Sequence, residues 1–464
     1  MTARRCYTCG SSIASRGEKM RSSLIKPAML AALSALAVVA ATAPGHAADA
    51  LTANAAADTP YLTSLYTHLH TNPELSFQET ATAARMAAEA KAAGFTVTTG
   101  IGQKGVVAVM VNGPGPVLLI RTDMDGLPVK EETGLPYAST ATGKTADGSL
   151  TPVMHACGHD IHMSVWVGVA RAMAKAKSQW SGTLVMIAQP AEEMIGGAEA
   201  MLKDGLYTRF PKPQFALALH DDNRIPAGKL SVPPYRALAA GSSLDMDVFG
   251  IGGHGAYPAT TKDPIVLAAN IITGMQTLIS RENDPFAPAV ITVGSIHGGT
   301  KRNIISNEVK LALTVRSYDS KQQARLIDSI GRVAKYEALA TGLPDDKLPT
   351  VKVVESTPPT LNTPAFAAKV QALFVERFGQ DRVVDLDPSM ASEDFNAFGL
   401  ADPSIQTVIF WLGATKQSTW EAAKAAGVNP PSLHSSKFAP DPAPTIATGV
   451  EAMSAAALMV LGKS

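Results

Sequence analysis

Short apolar runs alternate with segments of helical periodicity through the first half of the chain. From about residue 58, this pattern predicts a helix at Glu79–Ala92 and strands at Gly105–Val111 and Val117–Ile120. The alternation continues with helix His159–Ala174, strand Thr183–Ala188, helix Gly197–Leu202 and strand Phe215–Leu219. Each of these strands is a short, largely apolar run, which is typical of a strand buried on both faces. The pattern therefore favours an α/β domain built on one twisted sheet.

A different order of elements begins near Ser242. The sequence there predicts a strand, a helix, two strands, a helix and a strand, at Leu244–Phe249, Pro264–Ser280, Val290–Ile296, Glu308–Ser317, Lys321–Leu339 and Thr350–Val354. This βαββαβ order is that of the ferredoxin-like unit. Helix Pro364–Phe378 and strand Thr407–Trp411 then return to the first pattern. We therefore predict a sheet-centred domain in two parts, residues 48–240 and 356–464, interrupted by an inserted domain at residues 241–355.

Residues 1–47 are predicted to be a signal peptide. Basic Arg21 and Lys26 precede a run of mostly small apolar residues at 28–43, and Gly45-His-Ala-Ala offers a small-residue cleavage site. A membrane anchor needs about 20 strongly apolar residues, whereas this run is shorter and rich in alanine. Residues 1–19 would make an unusually long leader start, so Met20 is the alternative start of translation. The sequence thus predicts an exported protein, periplasmic or secreted, without a stable membrane span.

Composition and charge exclude several other classes of protein. Hydrophobic residues make up 46% of the 464 residues and charged residues 17%, unlike a disordered or coiled-coil chain. Lys+Arg and Asp+Glu number 40 each, so no overall field favours nucleic acid as a partner. Cys6 and Cys9 precede the predicted cleavage, which leaves Cys157 without a disulfide partner. An unpaired thiol in an oxidising compartment calls for burial or ligation.

Metal-binding side chains are concentrated around that cysteine. The segment His155-Ala-Cys-Gly-His-Asp-Ile-His162 places thiol, imidazole and carboxylate groups within eight residues, at a loop that leads into a helix. A thiolate and an imidazole two residues apart suit Zn, Co, Ni or Mn ions. Taken alone, the segment is equally compatible with a helix start in which Asp160 faces the macrodipole and His162 is buried.

Three predicted strands lead into further side chains of this kind: Asp123 and Asp125 after the first, Glu192 and Glu193 after the second, and His220 after the third. Ligand sites cluster at the carboxyl ends of such strands. Two adjacent glutamates allow one carboxylate to bind metal while its neighbour activates water as general base. The alternative is an exposed acidic pair at a helix start, which convergence with Cys157 and His159 disfavours. The combination predicts hydrolysis without a covalent nucleophile.

The sequence resembles the co-catalytic metallopeptidase family of aminoacylases, carboxypeptidases and deacylases, and within it the branch of hippurate hydrolases and auxin-conjugate amidohydrolases. The resemblance extends from about residue 60 to the end. It rests on motifs that occur in order: His70-Thr-Asn-Pro-Glu-Leu-Ser, Arg121-Thr-Asp-Met-Asp-Gly-Leu-Pro, Met154-His-Ala-Cys-Gly-His-Asp, Gln189-Pro-Ala-Glu-Glu, Gly252-Gly-His-Gly-Ala-Tyr-Pro, Gly298-Gly-Thr with Asn303, and Ser392-Glu-Asp-Phe. One position departs from the branch, because Ala259 follows Tyr-Pro where histidine is frequent.

The resemblance implies a metallopeptidase catalytic domain whose ferredoxin-like insert acts as a lid or dimerisation domain, and it allows a homodimer through that insert. It implies two divalent metal ions (Zn, Mn, Co or Ni) bridged by Cys157, with His159 and His220 completing one site and Glu193 and His434 the other. It also implies that Glu192 is the general base and that Asp125 orients the site. It implies that His254 donates to the substrate's oxyanion, which in several relatives happens across a dimer interface. Asn303 and Arg316 are implied to contact the substrate.

We therefore expect a metal-dependent hydrolase that cleaves the amide bond of N-acyl amino acids or small peptides. A cysteine enzyme with Cys157 as nucleophile and His159 as base is disfavoured, because residues two apart at a helix start rarely reach each other with a third group orienting the base. A catalytically silent protein that binds peptides or amino-acid conjugates is the other alternative. Loss of a ligand would indicate it, and all five implied ligands are present.

Overall fold

Two β-sheets covered by helices make up the structure, a computed structural model that describes residues 44–463, with side chains from residue 51. The predicted leader lies almost entirely outside these residues. The helices are α1 Pro44–Thr71, α2 Thr80–Ala92, α3 His159–Lys175, α4 Gly197–Lys203, α5 Leu206–Arg209, α6 Pro264–Thr277, α7 Ser320–Ala340, α8 Pro364–Phe378, α9 Asn396–Leu400, α10 Gln417–Ala425 and α11 Pro442–Leu461. The prediction of an α/β fold is confirmed.

The strands divide between the two sheets and three short ribbons. They are β1 Thr96–Ile101, β2 Gly105–Asn112, β3 Val117–Asp123, β4 Thr142–Lys144, β5 Leu150–Pro152, β6 Gly182–Gln189, β7 Phe215–Pro226, β8 Leu230–Ser231, β9 Arg236–Leu238, β10 Ala240–Phe249, β11 Gly253–His254, β12 Ala289–Gly298, β13 Ile304–Ile305, β14 Glu308–Ser317, β15 Thr350–Thr357, β16 Thr360–Leu361 and β17 Gln406–Thr415.

The larger sheet has the strand order β1-β2-β6-β3-β7-β17-β8. Its four strands β6, β3, β7 and β17 run parallel, so their carboxyl ends lie at the same edge. Strand β3 shows why the predicted strands are apolar throughout. Leu118 and Ile120 pack into the core on one face of the sheet, and Leu119 packs into the core on the other.

Helices α1, α3 and α11 pack together over one face of this sheet. At Gly168 of α3, the side chains of Val450 and Leu62 occupy the space that a Cβ atom would need, which brings the three helices close. Helix α11 is long and apolar enough to span a membrane by length and composition, yet most of its apolar stretch is buried inside the protein. In the part of the chain that the structure describes, this helix is therefore a core element.

The second sheet is antiparallel, with the order β12-β14-β10-β15, and it forms the βαββαβ arrangement together with α6 and α7. Its strands have one buried face: in β10, Leu244, Met246 and Val248 are buried, and they alternate with Asp245 and Asp247. These residues belong to a hydrophobic core separate from that of the larger sheet. The chain enters this sheet after β9 and leaves it before β16, and these two strands pair with each other.

The largest difference between predicted and observed strands lies in β7. Its predicted end is Leu219, but the strand continues to Pro226 and stays paired with β17 over that length. Asp221 and Asp222 are polar because they face a buried site and its cavity, as described below. Polarity in this segment therefore marks function and not a strand end.

Candidate metal centre

Neighbouring elements bring the five predicted ligands together at the carboxyl edge of the larger sheet. Cys157 precedes α3, His159 is its first residue, His220 lies within β7, Glu193 follows β6, and His434 lies between α10 and α11. Between the first two ligands, Gly158 has a φ of 75°, which a side chain disfavours. A Cβ atom there would lie 2.0 Å from Asp221 Oδ2, so only glycine fits.

The five side chains form two groups of three that share one thiol. Cys157, His159 and His220 present ligand atoms within 4.8 Å of one another, and so do Cys157, Glu193 and His434. The Cys157 Sγ atom is 3.6 Å from His220 Nε2 and 3.2 Å from His434 Nε2. His434 Nε2 is 3.4 Å from Glu193 Oε2. The geometry thus suits two cations bridged by the thiolate.

Backbone carbonyls fix the orientation of the two buried histidines. His159 Nδ1 is 2.8 Å from the carbonyl oxygen of Asp125, and His220 Nδ1 is 2.8 Å from that of Asp221. A carbonyl only accepts hydrogen bonds, so each Nδ1 donates and each Nε2 keeps its lone pair. This tautomer presents Nε2 as a metal ligand, which is the usual arrangement in metal-binding histidines.

The buried polar atoms of this cluster indicate that it fits metal ions. His159 Nε2 and Glu193 Oε1 are buried and have no hydrogen-bond partner among the described residues, an arrangement that costs free energy unless a cation satisfies it. Burial, together with the charges of Glu193 and Glu192, raises the pKa of the Cys157 thiol well above its usual value. A thiolate here requires a neighbouring cation. Thiolate, imidazole and carboxylate donors fit Zn, Mn, Co or Ni.

Asp125 holds the turn that carries the two glutamates. Its carboxylate accepts hydrogen bonds from the backbone N–H of Glu192 at 3.2 Å, from that of Glu193 at 3.0 Å and from Ser76 Oγ at 2.6 Å. Ala191, just before the pair, has a φ of 50°, which is unfavourable for a residue with a side chain. These hydrogen bonds stabilise a strained turn that directs two adjacent carboxylates to one centre.

The Glu192 carboxylate is buried beside the ligands and faces the cavity over them. Its Oε2 atom is 3.8 Å from His159 Nε2. Burial and the nearby charges of Glu393 and Glu193 raise the pKa of Glu192 well above its usual value. A carboxylate whose pKa is raised is a stronger base, which suits proton transfer near neutral pH.

A cavity of about 580 Å³ opens over the centre and has walls from both sheets. Arg316 of β14 lies in this wall and donates a hydrogen bond to Ser392 Oγ. No ion pair of Arg316 occurs among the residues that the structure describes, and burial lowers the pKa of its guanidinium. Arg316 thus brings to the cavity a positive charge that has no direct ion pair, with Glu355 in the same wall as its nearby opposite charge.

Two predicted substrate residues lie apart from this cavity. His254 is exposed in the β11–β13 ribbon, and Asn303 lies beside it, with its carbonyl accepting a hydrogen bond from the Gly255 N–H at 2.9 Å. Neither residue lines the cavity. The structure therefore brings Arg316 to the centre but not His254 or Asn303.

A buried arginine next to the centre has no role in the sequence-based prediction. Arg121 donates to Asp123 Oδ2 at 2.5 Å, to Glu393 Oε1 at 2.6 Å and to Asp394 Oδ1 at 3.2 Å. It therefore ties the segment after β15 to the end of β3. The Arg121-Thr-Asp and Ser392-Glu-Asp motifs contain these residues, but the pairing of Arg121 with Glu393 across 272 positions has no signal in local sequence.

His162, which the sequence-based prediction omits as a ligand, supports the site from behind. Its Nδ1 is 2.7 Å from Asp123 Oδ1, its Nε2 is 3.1 Å from Asp221 Oδ1, and its ring centroid is 4.7 Å from that of His220. Nε2 also accepts a hydrogen bond from the Asp221 N–H at 3.0 Å, so both ring nitrogens have partners, and the ring packs against a ligand.

Comparisons with known proteins agree with this geometry. The profile of peptidase family M20/M25/M40 matches residues 119–433. An N-acetyldiaminopimelate deacetylase of Leuconostoc citreum is 35% identical over 323 residues, which are 68% of this chain and 78% of that protein. An IAA-amino acid hydrolase of Arabidopsis thaliana is 30% identical over 340 residues, which are 72% of this chain and 73% of that protein.

The solved structures include similar folds. A dinuclear metal-binding peptidase of the M20 family from Bacillus subtilis superposes with a TM-score of 0.69 at 26% identity, covering 87% of this chain and 99% of that chain. The resemblance inferred from the motifs is thereby confirmed. The chain belongs to peptidase family M20/M25/M40 and is a metal-dependent amidohydrolase.

Proposed function

We propose that the protein hydrolyses the amide bond of N-acyl amino acids or small peptides with two divalent metal ions. The observation that carries this proposal is the pair of ligand groups that share Cys157, with Glu192 beside them. His159 and His220 complete one site, and Glu193 and His434 complete the other. When bound, the ions supply Lewis-acid polarisation of the amide carbonyl and lower the pKa of water.

The protein's own residues carry the proton. Glu192 accepts a proton from the attacking water as the general base and delivers it to the amine that leaves, so the balance is one water consumed per amide bond cleaved. Asp125 keeps Glu192 and Glu193 in place through their backbone N–H groups. Arg316 binds the carboxylate of the substrate's amino-acid part, because it is a cation in the cavity wall that forms no direct ion pair with a described residue.

A cysteine nucleophile is a weaker explanation of the same residues. Burial and the neighbouring carboxylates raise the pKa of the Cys157 thiol, whereas a nucleophilic cysteine needs a lowered pKa. His159 Nε2 and Glu193 Oε1, which have no hydrogen-bond partner within residues 44–463, would also have no use in that mechanism.

The test of the proposed function is release of free amine by metal-reconstituted protein. N-acetyl and N-benzoyl amino acids and dipeptides are the substrates, and metal-free protein and Glu192→Gln are the controls. Amine release that depends on metal and on Glu192 supports the proposal. Protein that holds two ions and binds these compounds without releasing amine would instead be a silent binding protein.

The exposed ribbon suggests how His254 takes part. It lies next to exposed apolar side chains, Tyr257 and Ile304, and outside the cavity. His254 and Asn303 serve the site of a second copy across a homodimer interface formed by the second sheet and its helices. In that arrangement, the imidazole donates to the substrate's oxyanion.

The apolar leader supports export as part of the proposal. Residues 28–43 and the small residues that follow have the form of a cleaved signal peptide. The mature protein then begins near Ala48 or Asp49 and acts in the periplasm or outside the cell. Its remaining cysteine, Cys157, is buried in the metal centre.

A further inference from the structure

His70, near the end of α1, is buried between two carboxylates. Its Nδ1 atom is 2.6 Å from Asp160 Oδ2, and its Nε2 atom is 3.1 Å from Glu131 Oε1. None of these three side chains is exposed. A carboxylate only accepts hydrogen bonds, so both ring nitrogens donate. An imidazole with two N–H groups is a cation.

The first of these carboxylates leads to the loop of Cys157 and His159. Asp160 directly follows the ligand His159 in the first turn of α3, and its other oxygen accepts a hydrogen bond from the Ile161 N–H at 2.9 Å. The contact with His70 therefore fixes the start of α3, which carries the ligand His159 and comes just after the ligand Cys157.

The second carboxylate leads to the loop of His434. Glu131 accepts a hydrogen bond from the Ser139 N–H at 2.6 Å, which closes the segment between them. The next residue, Glu132, bonds to Ser436 twice: its N–H donates to the Ser436 carbonyl at 2.7 Å, and its carboxylate accepts from Ser436 Oγ at 2.9 Å. Ser436 is two residues from the ligand His434.

We propose that His70 is a positioning residue, a buried imidazolium that joins the loop of Cys157 and His159 to the loop of His434. This inference rests on the proposed function in that it assigns those side chains to two metal ions. His70 belongs to neither of the two ligand groups that share Cys157 and does not line the cavity. It acts on both metal sites through Asp160 and Glu131.

The surroundings of His70 favour the cation. Burial alone would lower the pKa of His70, but the hydrogen bonds that it donates to Asp160 and Glu131, together with their charges, outweigh burial and raise the pKa to about 10. The other groups that face the ring are Tyr66 from α1 and Tyr137 from the loop after β3. His155, fully buried before α3, has its pKa lowered by burial to about 4 and is therefore neutral. The cation persists at neutral pH and is lost only as pH rises through about 10.

The first test needs no variant. In protein labelled with ¹⁵N-histidine, the imidazole nitrogens of His70 should show the signature of a doubly protonated ring at pH 7.5, without titration between pH 6 and 8. His70→Gln assigns these signals by removing them. A neutral tautomer at pH 7.5 would overturn the proposal.

The second test measures metal binding by apoprotein. His70→Gln should lower the binding affinity for both ions by roughly 10- to 100-fold, the range for residues that orient metal ligands. It should also shift the thiolate-to-cobalt absorption of the Co²⁺ form. The matched control is His68→Gln, which changes an exposed histidine of the same helix. Folded His70→Gln with wild-type affinity for both ions would refute the positioning role.

A milder variant covers the case in which His70→Gln does not fold. Glu131→Gln can keep an oxygen that accepts from Nε2, but it removes the charge and turns an NH₂ group towards the Ser139 N–H, which donates to this carboxylate in the wild type. The pKa of His70 should therefore fall, and the ion bound by Glu193 and His434 should bind more weakly. Unchanged values for both would contradict the proposal. These measurements use no substrate, so failure of wild-type protein to release amine would reject the proposed function and leave this inference standing.

Discussion

Asp125→Asn is the sharpest test of how the centre is assembled. The carboxylate accepts three hydrogen bonds, two of them from the backbone N–H groups of Glu192 and Glu193 through different oxygens. An amide has one oxygen and one NH₂ group, so in either orientation one backbone N–H faces another donor. A buried donor left without an acceptor costs about 1–3 kcal/mol. If the turn moves to relieve this cost, metal affinity falls by about 5- to 150-fold, at 1.4 kcal/mol per tenfold change.

Titration of apoprotein with Zn²⁺ or Co²⁺ measures this loss, alongside kcat for amide hydrolysis and the free energy of unfolding. Ser76→Ala removes the third hydrogen bond but leaves both backbone donors satisfied, so its effect on metal affinity should be under about tenfold. Asp58→Asn breaks a distant ion pair with Arg171 and controls for stability alone. If Asp125→Asn binds both ions and turns over like the wild type, the carboxylate does not position the glutamate pair.

Four further predictions follow from the proposed roles. Cys157→Ser should lower metal content and activity with the fold largely retained, and full activity with two ions would rule out a bridging thiolate. Glu192→Gln should keep both ions but reduce turnover by at least about 100-fold, the lower range for a lost general base. Glu193→Gln should also bind one of the ions more weakly, and identical behaviour of the two variants would contradict the division of roles. His254→Ala should reduce turnover about 100-fold or more, as for the loss of one oxyanion donor, with metal content unchanged. If the imidazole acts across a dimer, mixed dimers of the His254→Ala and Glu192→Gln proteins should recover part of the activity. N-terminal sequencing of exported protein should begin near residues 48–49, and a start at Met1 or Met20 would refute cleavage.

The sequence predicts helices and strands best where the local pattern of apolar and polar residues reflects which faces of the element are buried. The runs that became β3 and β6 are apolar because both faces of the strand are buried, and the acids that follow them mark the sheet edge. In α1, the buried residues Leu62, Leu65, Tyr66 and Leu69 recur at helical spacing, so part of this helix could be predicted from the sequence. Helix α11 was not, because it is buried on several sides and lacks a polar face.

Side-chain partners that are distant in sequence limit the prediction of the site. The motifs identify Arg121 and Glu393 individually, but their ion pair depends on how the segment after the insertion returns to β3. The same holds for His70, whose two carboxylates come from different loops. His254 shows the converse, since its motif suggests the catalytic site while the structure places it on an exposed ribbon.

The two ligand groups differ in a way that follows from the order of the chain. Cys157, His159 and His220 all precede the insertion, and the side chains of the two histidines are only 0% and 7% exposed. The other group depends on His434, which comes after the insertion, has a side chain 56% exposed and adopts a φ of 64°. Its backbone N–H donates to the Ala156 carbonyl at 2.8 Å, and this contact holds its loop against the cysteine loop. The first group is therefore preorganised by the sheet, whereas the second forms only when the C-terminal segment docks. Because strain and exposure both oppose tight ligation, we expect an ion bound by His434 to exchange more readily than one bound by His159 and His220.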